Sequence, residues 1–182
     1  MRLPKRLVAS IRQLKRLPRR WRRSEYIADY PLVSTEKLRF ADTDRNGHIS
    51  NAVFAVCCQN ARMELLMDSE RLPFLSEVQF VIGRLDLEFR GEMHWPGTVR
   101  VGTRVVHVGR CSVRLAQALF VADRCVAVSK STAILIAKDT RRPEPLPPEF
   151  AEFLQGLAGH SDWAAIMKRG AQHTLRAWSV RA

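Results

Sequence analysis

The densest group of polar side chains lies in residues 39–54, which read RFADTDRNGHISNAVF. Two of these residues, Asp42 and Asp44, carry carboxylates that could activate water or attack a carbonyl carbon directly. The segment joins a predicted strand to a predicted helix, and free backbone N–H groups at a helix start can stabilise negative charge on a carbonyl oxygen. The pattern therefore predicts a hydrolytic site with Asp44 as its main reacting group.

Each polar residue of this segment also has a purely structural interpretation. Asp44 could bond the backbone of a turn, and Asp42 could tune the charge of Asp44 or cap the turn, with the cap favoured. Gly47 is expected to supply unusual backbone angles. His48 is a candidate catalytic residue that could meet the substrate, or it could only orient the loop. Asn51 could cap the helix through its side chain while its N–H faces a carbonyl, so both roles are compatible.

The same residues nearly form a calcium-binding loop. Asp42, Asp44, Asn46 and Gly47 occupy its first, third, fifth and sixth positions. The twelfth position, which should be a bidentate Glu, is Val53. The missing ligand argues against calcium, and we expect no metal at this site.

The four cysteines, at positions 57, 58, 111 and 125, form no C-x-x-C pair and no disulfide framework. Cys57 and Cys58 lie in an apolar stretch, where buried thiols behave as small hydrophobic groups. No cue for an activated thiolate accompanies any of them. We expect four reduced cysteines and a reducing compartment such as the cytoplasm.

The pattern of apolar residues predicts an α+β fold in which a sheet buries one face against a single long helix. A helix is expected over 51–67, because this stretch contains neither Gly nor Pro and begins at a Ser50 or Asn51 cap. Short connections between the later strands favour antiparallel neighbours. Strands are predicted at 33–40, 78–90, 99–109, 112–122 and 124–137, followed by a short helix at 149–157.

The net charge of +12 is concentrated at the two ends of the chain. We therefore divide it into a basic N-terminal extension (1–30), a folded domain (31–154) and a basic, peripheral C-terminal tail (155–182). Residues 3–17 predict a basic amphipathic helix, and the segment 3–23 could contact a membrane surface, act as an organelle-targeting peptide or remain a solvated extension. Nucleic-acid binding is disfavoured because the middle of the chain is nearly neutral and has no interleaved aromatic pattern.

The central motif resembles that of a known family. Asp42, Asp44, Gly47, His48 and Asn51 match the Asp-x-Asp-x-x-Gly-His-x-x-Asn-like pattern of the 4-hydroxybenzoyl-CoA thioesterase-like branch of the hotdog superfamily. The resemblance extends over about residues 33–154. It implies a hotdog fold, in which a curved antiparallel sheet of five or six strands wraps one long helix.

The resemblance further implies an acyl-CoA thioesterase that needs no cofactor. A thioesterase for acyl groups on a carrier protein is the second choice. The aspartate at Asp44 would attack the thioester carbon or activate water, and the amide near Asn51 would polarise the carbonyl, while Gly47, Asp42 and Phe54 would contact substrate. A homodimer or homotetramer with sites between subunits is implied. The alternative is a catalytically silent module that binds acyl thioesters or partners at a membrane.

Two positions depart from the family pattern. Relatives carry Glu two residues before the helix arginine, whereas this chain has Asn60 and keeps Arg62. Glu64, one turn further along, is expected to be a helix-surface or salt-bridge residue. Phe54 replaces a frequent tyrosine, which removes a hydroxyl group and could shift the acyl preference.

Overall fold

The computed structural model describes residues 26–67 and 76–159. The predicted basic helix at 3–17, the rest of the segment 3–23 and most of the C-terminal tail lie outside the described residues. The helices and strands are Ile27–Asp29 (3-10), β1 Leu32–Lys37, Phe40–Asp42 (3-10), α1 Asn51–Leu66, β2 Val78–Phe89, β3 Thr98–Val108, β4 Ser112–Val121, β5 Arg124–Ala137 and α2 Pro148–Gly159. No helix among them is long and apolar enough to span a bilayer.

The sheet has the strand order β1-β3-β4-β5-β2, and every neighbouring pair is antiparallel. The predicted five-stranded sheet with one long helix is confirmed, and each predicted strand is found within a few residues of its expected bounds. The first two strands lie at opposite edges because α1 comes between them in the chain and crosses the sheet. Two edges therefore remain, one formed by β1 and the other by β2.

α1 packs one face against the concave side of the sheet. Its buried apolar residues recur at helical spacing: Phe54, Cys57, Cys58, Ala61, Leu65 and Leu66. The first four belong to a cluster with residues of β3, β4 and β5, and Leu65 and Leu66 belong to a second cluster further along the helix. This second cluster also holds Phe150 and Leu154 of α2, so α2 closes one end of the core. Leu157 and Ala158 pack there as well, which extends the packed domain past residue 154.

Tyr30, just before β1, is buried and packs against residues of the sheet. The Tyr30 ring packs edge-on against Phe120 at 6.0 Å, and the Arg104 guanidinium lies 4.8 Å from its centroid. It fits because its neighbour on β3 is Gly102, where an added Cβ would lie 2.5 Å from the ring.

Under α1 lies a buried polar group that the sequence did not indicate. Arg62 is 2% exposed, and its Nη1 donates a hydrogen bond to Oε1 of Gln117 at 2.9 Å. The Gln117 amide donates in turn to the Cys58 carbonyl at 3.0 Å and to Oγ1 of Thr103 at 3.1 Å. Burial lowers the pKa of Arg62. These bonds link the middle of α1 to β3 and β4 and fix the helix on the sheet.

Candidate active site

The motif forms a closed loop that returns the chain to the start of α1. Ser50 N–H donates to the Asp42 carbonyl at 2.9 Å, and Thr43 and Ile49 form an antiparallel bridge. One step further out, Asp44 N–H donates to the His48 carbonyl at 2.7 Å. Gly47 turns the loop with a φ of +80°, a left-handed conformation that glycine adopts without strain. The prediction of unusual backbone angles at Gly47 is confirmed.

The Asp44 carboxylate lies over this loop. Its Oδ1 accepts hydrogen bonds from the N–H groups of Asn46 at 2.7 Å and His48 at 3.2 Å. The turn-forming interpretation of Asp44 is therefore correct for one oxygen. Oδ2 has no hydrogen-bond donor among the described residues, and the residue is exposed. The carboxylate is held in a fixed orientation by one oxygen while the other faces outward.

α1 begins at Asn51, with Ser50 in the N-cap position and no side-chain cap bond. The expectation that the Asn51 side chain caps the helix is wrong, because Asn51 is already the first helical residue. Its N–H group has no acceptor within the described ranges, as expected for the first turn of a helix. This amide belongs to the partially positive end of α1, where no acidic residue occupies the first turn.

Asp42 and Phe54 are less available to a ligand than Asp44 is. Asp42 Oδ2 accepts a hydrogen bond from Arg39 N–H at 2.7 Å and lies 3.7 Å from its Nε. This is the turn-capping role that the sequence favoured. Phe54 is 2% exposed and lies in the core, where its ring meets Phe89 edge-on at 5.1 Å. Substrate contact by either residue remains a prediction, and Phe89, with 46% exposure, is the ring of this pair that reaches the surface.

Glu64 is a helix-surface residue whose carboxylate accepts a hydrogen bond from the Ser34 hydroxyl, as the sequence favoured. This contact gives no support to the idea that Glu64 replaces the glutamate that relatives carry where this chain has Asn60.

Sequence reasoning missed four residues beside the loop. Phe40 and Trp95 form an exposed edge-on ring pair at 5.3 Å, with 70% and 47% exposure. Glu92 lies between His48 and His94, and its Oε2 is 3.7 Å and 3.6 Å from their Nε2 atoms. The signal that could have found three of them is the run of polar and aromatic residues at 92–95, in the connection between β2 and β3.

The cysteines are free, and the expectation of four reduced thiols is confirmed for this chain. Cys57 and Cys58 are buried in α1, as predicted. Burial raises the pKa of Cys57 to about 12, with Glu36, Cys58 and Asp42 adding to the effect. Burial also raises the pKa of Cys58 to about 11. Both thiols therefore stay protonated near neutral pH, and neither is suited to act as a nucleophile.

A groove with a volume of about 620 Å³ lies away from the motif loop. It is lined by residues that include Glu77, Val78, Leu135 and Pro147. Val78 is the first residue of β2, and Leu135 lies opposite Phe80 on β5, whereas Phe89, which contacts α1 near its start, is the last residue of β2. This groove is therefore distant from the motif along the strand and does not supply a binding cleft for Asp44.

Comparison with known proteins agrees with this architecture. The profile of the thioesterase-like superfamily matches residues 38–154, which include every motif residue. No curated protein sequence matches this chain significantly. The chain belongs to the thioesterase-like superfamily and has its hotdog fold.

Three solved structures illustrate the similarity. A Pseudomonas aeruginosa protein is 22% identical with a TM-score of 0.66, over 72% of this chain and 94% of that one. A predicted thioesterase from Bacillus stearothermophilus is 25% identical with a TM-score of 0.63, over 69% and 95%. A Thermus thermophilus thioesterase, solved with coenzyme A and zinc, is 26% identical with a TM-score of 0.61, over 72% and 96%.

The raised thiol pKa values lead to a prediction about reactivity and stability. At pH 8 only about one in ten thousand Cys57 thiols is ionised in the folded protein. We expect a thiol reagent to modify the half-buried Cys111 and Cys125 first, and Cys57 and Cys58 only in denaturant, as mass spectrometry of digested protein would show. The folded-state pKa values lie above the ordinary value of 9.0, so the thiols of the unfolded chain ionise first as the pH rises. The contribution of the two buried thiols to the free energy of unfolding is therefore complete below pH 9 and is lost as the pH rises toward 12.

Chemical denaturation at pH 8 and at pH 10.5 measures the expected loss of unfolding free energy. The double variant Cys57→Ala, Cys58→Ala should lose less unfolding free energy between these pH values than the parent chain. Rapid labelling of Cys57 in the native protein would contradict the burial that underlies both expectations.

Proposed function

We propose that this protein hydrolyses acyl-CoA thioesters to the free acid and coenzyme A, with Asp44 as the reacting carboxylate. The observation that supports this most directly is the Asp44 carboxylate, which is held through Oδ1 alone on a loop closed by the Ser50 N–H, one residue before the free amide of Asn51. Membership of the thioesterase-like superfamily supports the same class of reaction. The coenzyme A in the Thermus thermophilus structure favours CoA over a carrier protein as the thiol.

The Asp44 carboxylate and the Asn51 N–H have separate roles in the proposed reaction. Asp44 Oδ2 either removes a proton from a water molecule that adds to the thioester carbon or adds to that carbon itself. The carbonyl oxygen gains negative charge, and the Asn51 N–H at the positive end of α1 stabilises it. The carbon–sulfur bond then breaks and the thiolate leaves. In the first route the thiolate takes up the proton that Asp44 removed from water, and in the second route water hydrolyses the anhydride between the acyl group and Asp44, which releases the acid, protonates the thiolate and restores the carboxylate. A thiolate is a good leaving group, so this pair can suffice without a cofactor or a catalytic metal.

The remaining motif residues position these two groups. Gly47 allows the tight loop, the His48 N–H holds Asp44 Oδ1, and Asp42 fixes the entry to the loop. Exposed Phe40 and Trp95 offer an apolar surface for the pantetheine arm or the acyl group, and Phe54 supports Phe89 from below.

We further propose that the active protein is at least a homodimer, with a second copy bound along β2. This edge strand has twelve residues, and its exposed side chains include Ile82 at 41%, Leu85 at 38% and Phe89 at 46%. A long edge strand with exposed apolar residues is a favourable surface for pairing with another chain. Because Phe89 contacts the first turn of α1, a second copy there would turn the open surface beside Asp44 into a cleft.

The carboxylate can be tested separately from its role in the turn. In Asp44→Asn the side-chain oxygen can still accept the N–H bonds of Asn46 and His48, but the negative charge is removed. We expect kcat/KM to fall by about 100-fold or more, measured as thiol release from a panel of short, long and aromatic acyl-CoAs. Asp123→Asn, at a fully exposed turn carboxylate, serves as the matched control and should keep parental activity.

Parental activity in Asp44→Asn would mean that Asp44 only forms the turn. If the wild-type chain binds acyl-CoA but releases no thiol from any of the panel, the silent binding module replaces the hydrolase.

The amide at the helix start can be removed by proline. Proline is well tolerated at the first position of a helix, and Ser50, with φ −55° and ψ 139°, already has the conformation that precedes proline. We expect Asn51→Pro to lower kcat by about 100- to 1,000-fold, because it removes the N–H that stabilises the oxyanion. Asn51→Ala keeps the N–H and should retain most activity. Equal losses in both variants, with unchanged circular dichroism, would assign the effect to the side chain.

For the basic segment 3–23, outside the described residues, we propose a peripheral membrane contact of a cytoplasmic enzyme. Deleting residues 1–24 should leave thioester hydrolysis intact and abolish co-sedimentation with vesicles containing anionic lipid. Full retention of vesicle binding by the truncated protein would exclude this segment as the anchor.

A further inference from the structure

Two imidazoles and a carboxylate converge beside the candidate active site. His48 comes from the motif loop, whereas Glu92 and His94 come from the connection between β2 and β3. The Glu92 Oε2 lies 3.7 Å from Nε2 of His48 and 3.6 Å from Nε2 of His94. One ligand atom from each of the three residues falls within 4.8 Å of the others.

These distances suit a transition-metal ion. With zinc–ligand bonds of about 2.0–2.2 Å, neighbouring ligand atoms of a tetrahedral site lie roughly 3.4 Å apart. Both separations from Glu92 are close to this value, and the three ligand atoms lie within 4.8 Å of one another, so the two imidazoles must move closer together when the ion binds. Two histidines with one carboxylate form a common zinc ligand set that leaves a fourth position for water or another ligand. Magnesium and calcium prefer oxygen ligands and fit this set poorly.

The backbone between these ligands is already rigid. Ile49 follows His48, and Met93 separates Glu92 from His94. The Ile49 N–H donates to the Met93 carbonyl at 2.9 Å, and both side chains are buried, with 3% and 0% exposure. The three ligand residues therefore flank a hydrogen-bonded pair that is anchored in the core. A site of this kind needs little ordering when the ion binds, because only exposed side chains must be fixed.

We propose that His48, Glu92 and His94 bind one zinc ion per chain, which ties the motif loop to the β2–β3 connection. The site is separate from the hydrolytic step, in which the ion takes no part. Its effect on the loop would be mechanical: the main-chain N–H of His48 donates to Asp44 Oδ1 at 3.2 Å, so an ion on the His48 imidazole restrains the residue that orients the carboxylate. Without an ion, the same three side chains would form only two exposed histidine–glutamate pairs, which contribute little to stability.

Calorimetry on the full chain, with any affinity tag removed and metals stripped by EDTA, tests the site. Zinc chloride should bind with one ion per chain, and magnesium chloride should not. We expect His48→Ala, Glu92→Gln and His94→Ala each to weaken zinc binding at least about tenfold. His107→Ala is the matched control, because His107 is an exposed histidine near the far end of β3 and should leave zinc affinity unchanged.

Zinc should also raise the melting temperature of the parent chain, and His94→Ala should abolish the shift. No zinc binding by the parent chain would overturn the proposal. So would equal affinity in the three ligand variants and in His107→Ala, since zinc would then bind elsewhere.

Because these measurements do not depend on turnover, they separate this proposal from the hydrolase proposal. Asp44→Asn should bind zinc as tightly as the parent chain even though it is expected to be inactive.

Discussion

The candidate site depends on two main-chain hydrogen bonds made by neighbouring residues. Ser50 N–H closes the motif loop onto the Asp42 carbonyl, and Ile49 N–H fixes it to Met93 in the β2–β3 connection. Both Ile49 and Met93 are buried, so the bond between them is protected from competing water. An exposed carboxylate on a free loop would sample many orientations. Here the base of the loop is bonded to the core, while its tip, with Asp44 and Gly47, is exposed.

The core beneath the loop explains why α1 begins where it does. Its apolar face is fixed on the sheet by Phe54, Cys57, Cys58 and Ala61, and the bonds between Arg62 and Gln117 restrain it further along. The start of the helix therefore cannot shift relative to the loop. A free amide and a carboxylate are supplied by two adjoining elements of the same rigid unit. This arrangement is what electrostatic stabilisation of a transition state requires, since the groups need no reorganisation during the reaction.

In the single chain the Asp44 carboxylate lies on an open surface, and the groove of about 620 Å³ lies near the other end of β2. Exposed apolar residues continue from β2 through Phe89 toward the helix start, and the Phe40–Trp95 pair lies on the other side of the motif. A second chain would exclude water from this region, and the electrostatic contribution of the helix start increases when water is excluded. The proposed hydrolysis and the proposed assembly are therefore linked, because a second chain would cover the region around Asp44.

The sequence alone determined the order and type of the elements, since apolar periodicity and short turns reflect local physics. It also determined the loop, because Gly47 and the aspartates have turn preferences that need no tertiary contact. It could not assign the oxygens of Asp44 or place Phe54 in the core, because these depend on side-chain directions within the closed loop and on packing against Phe89. The pairing of His48 with Glu92 and His94, and of Arg62 with Gln117, was decided only by the tertiary structure. These residues are more than forty positions apart, and no local pattern records contacts made by the folding of a helix across a sheet.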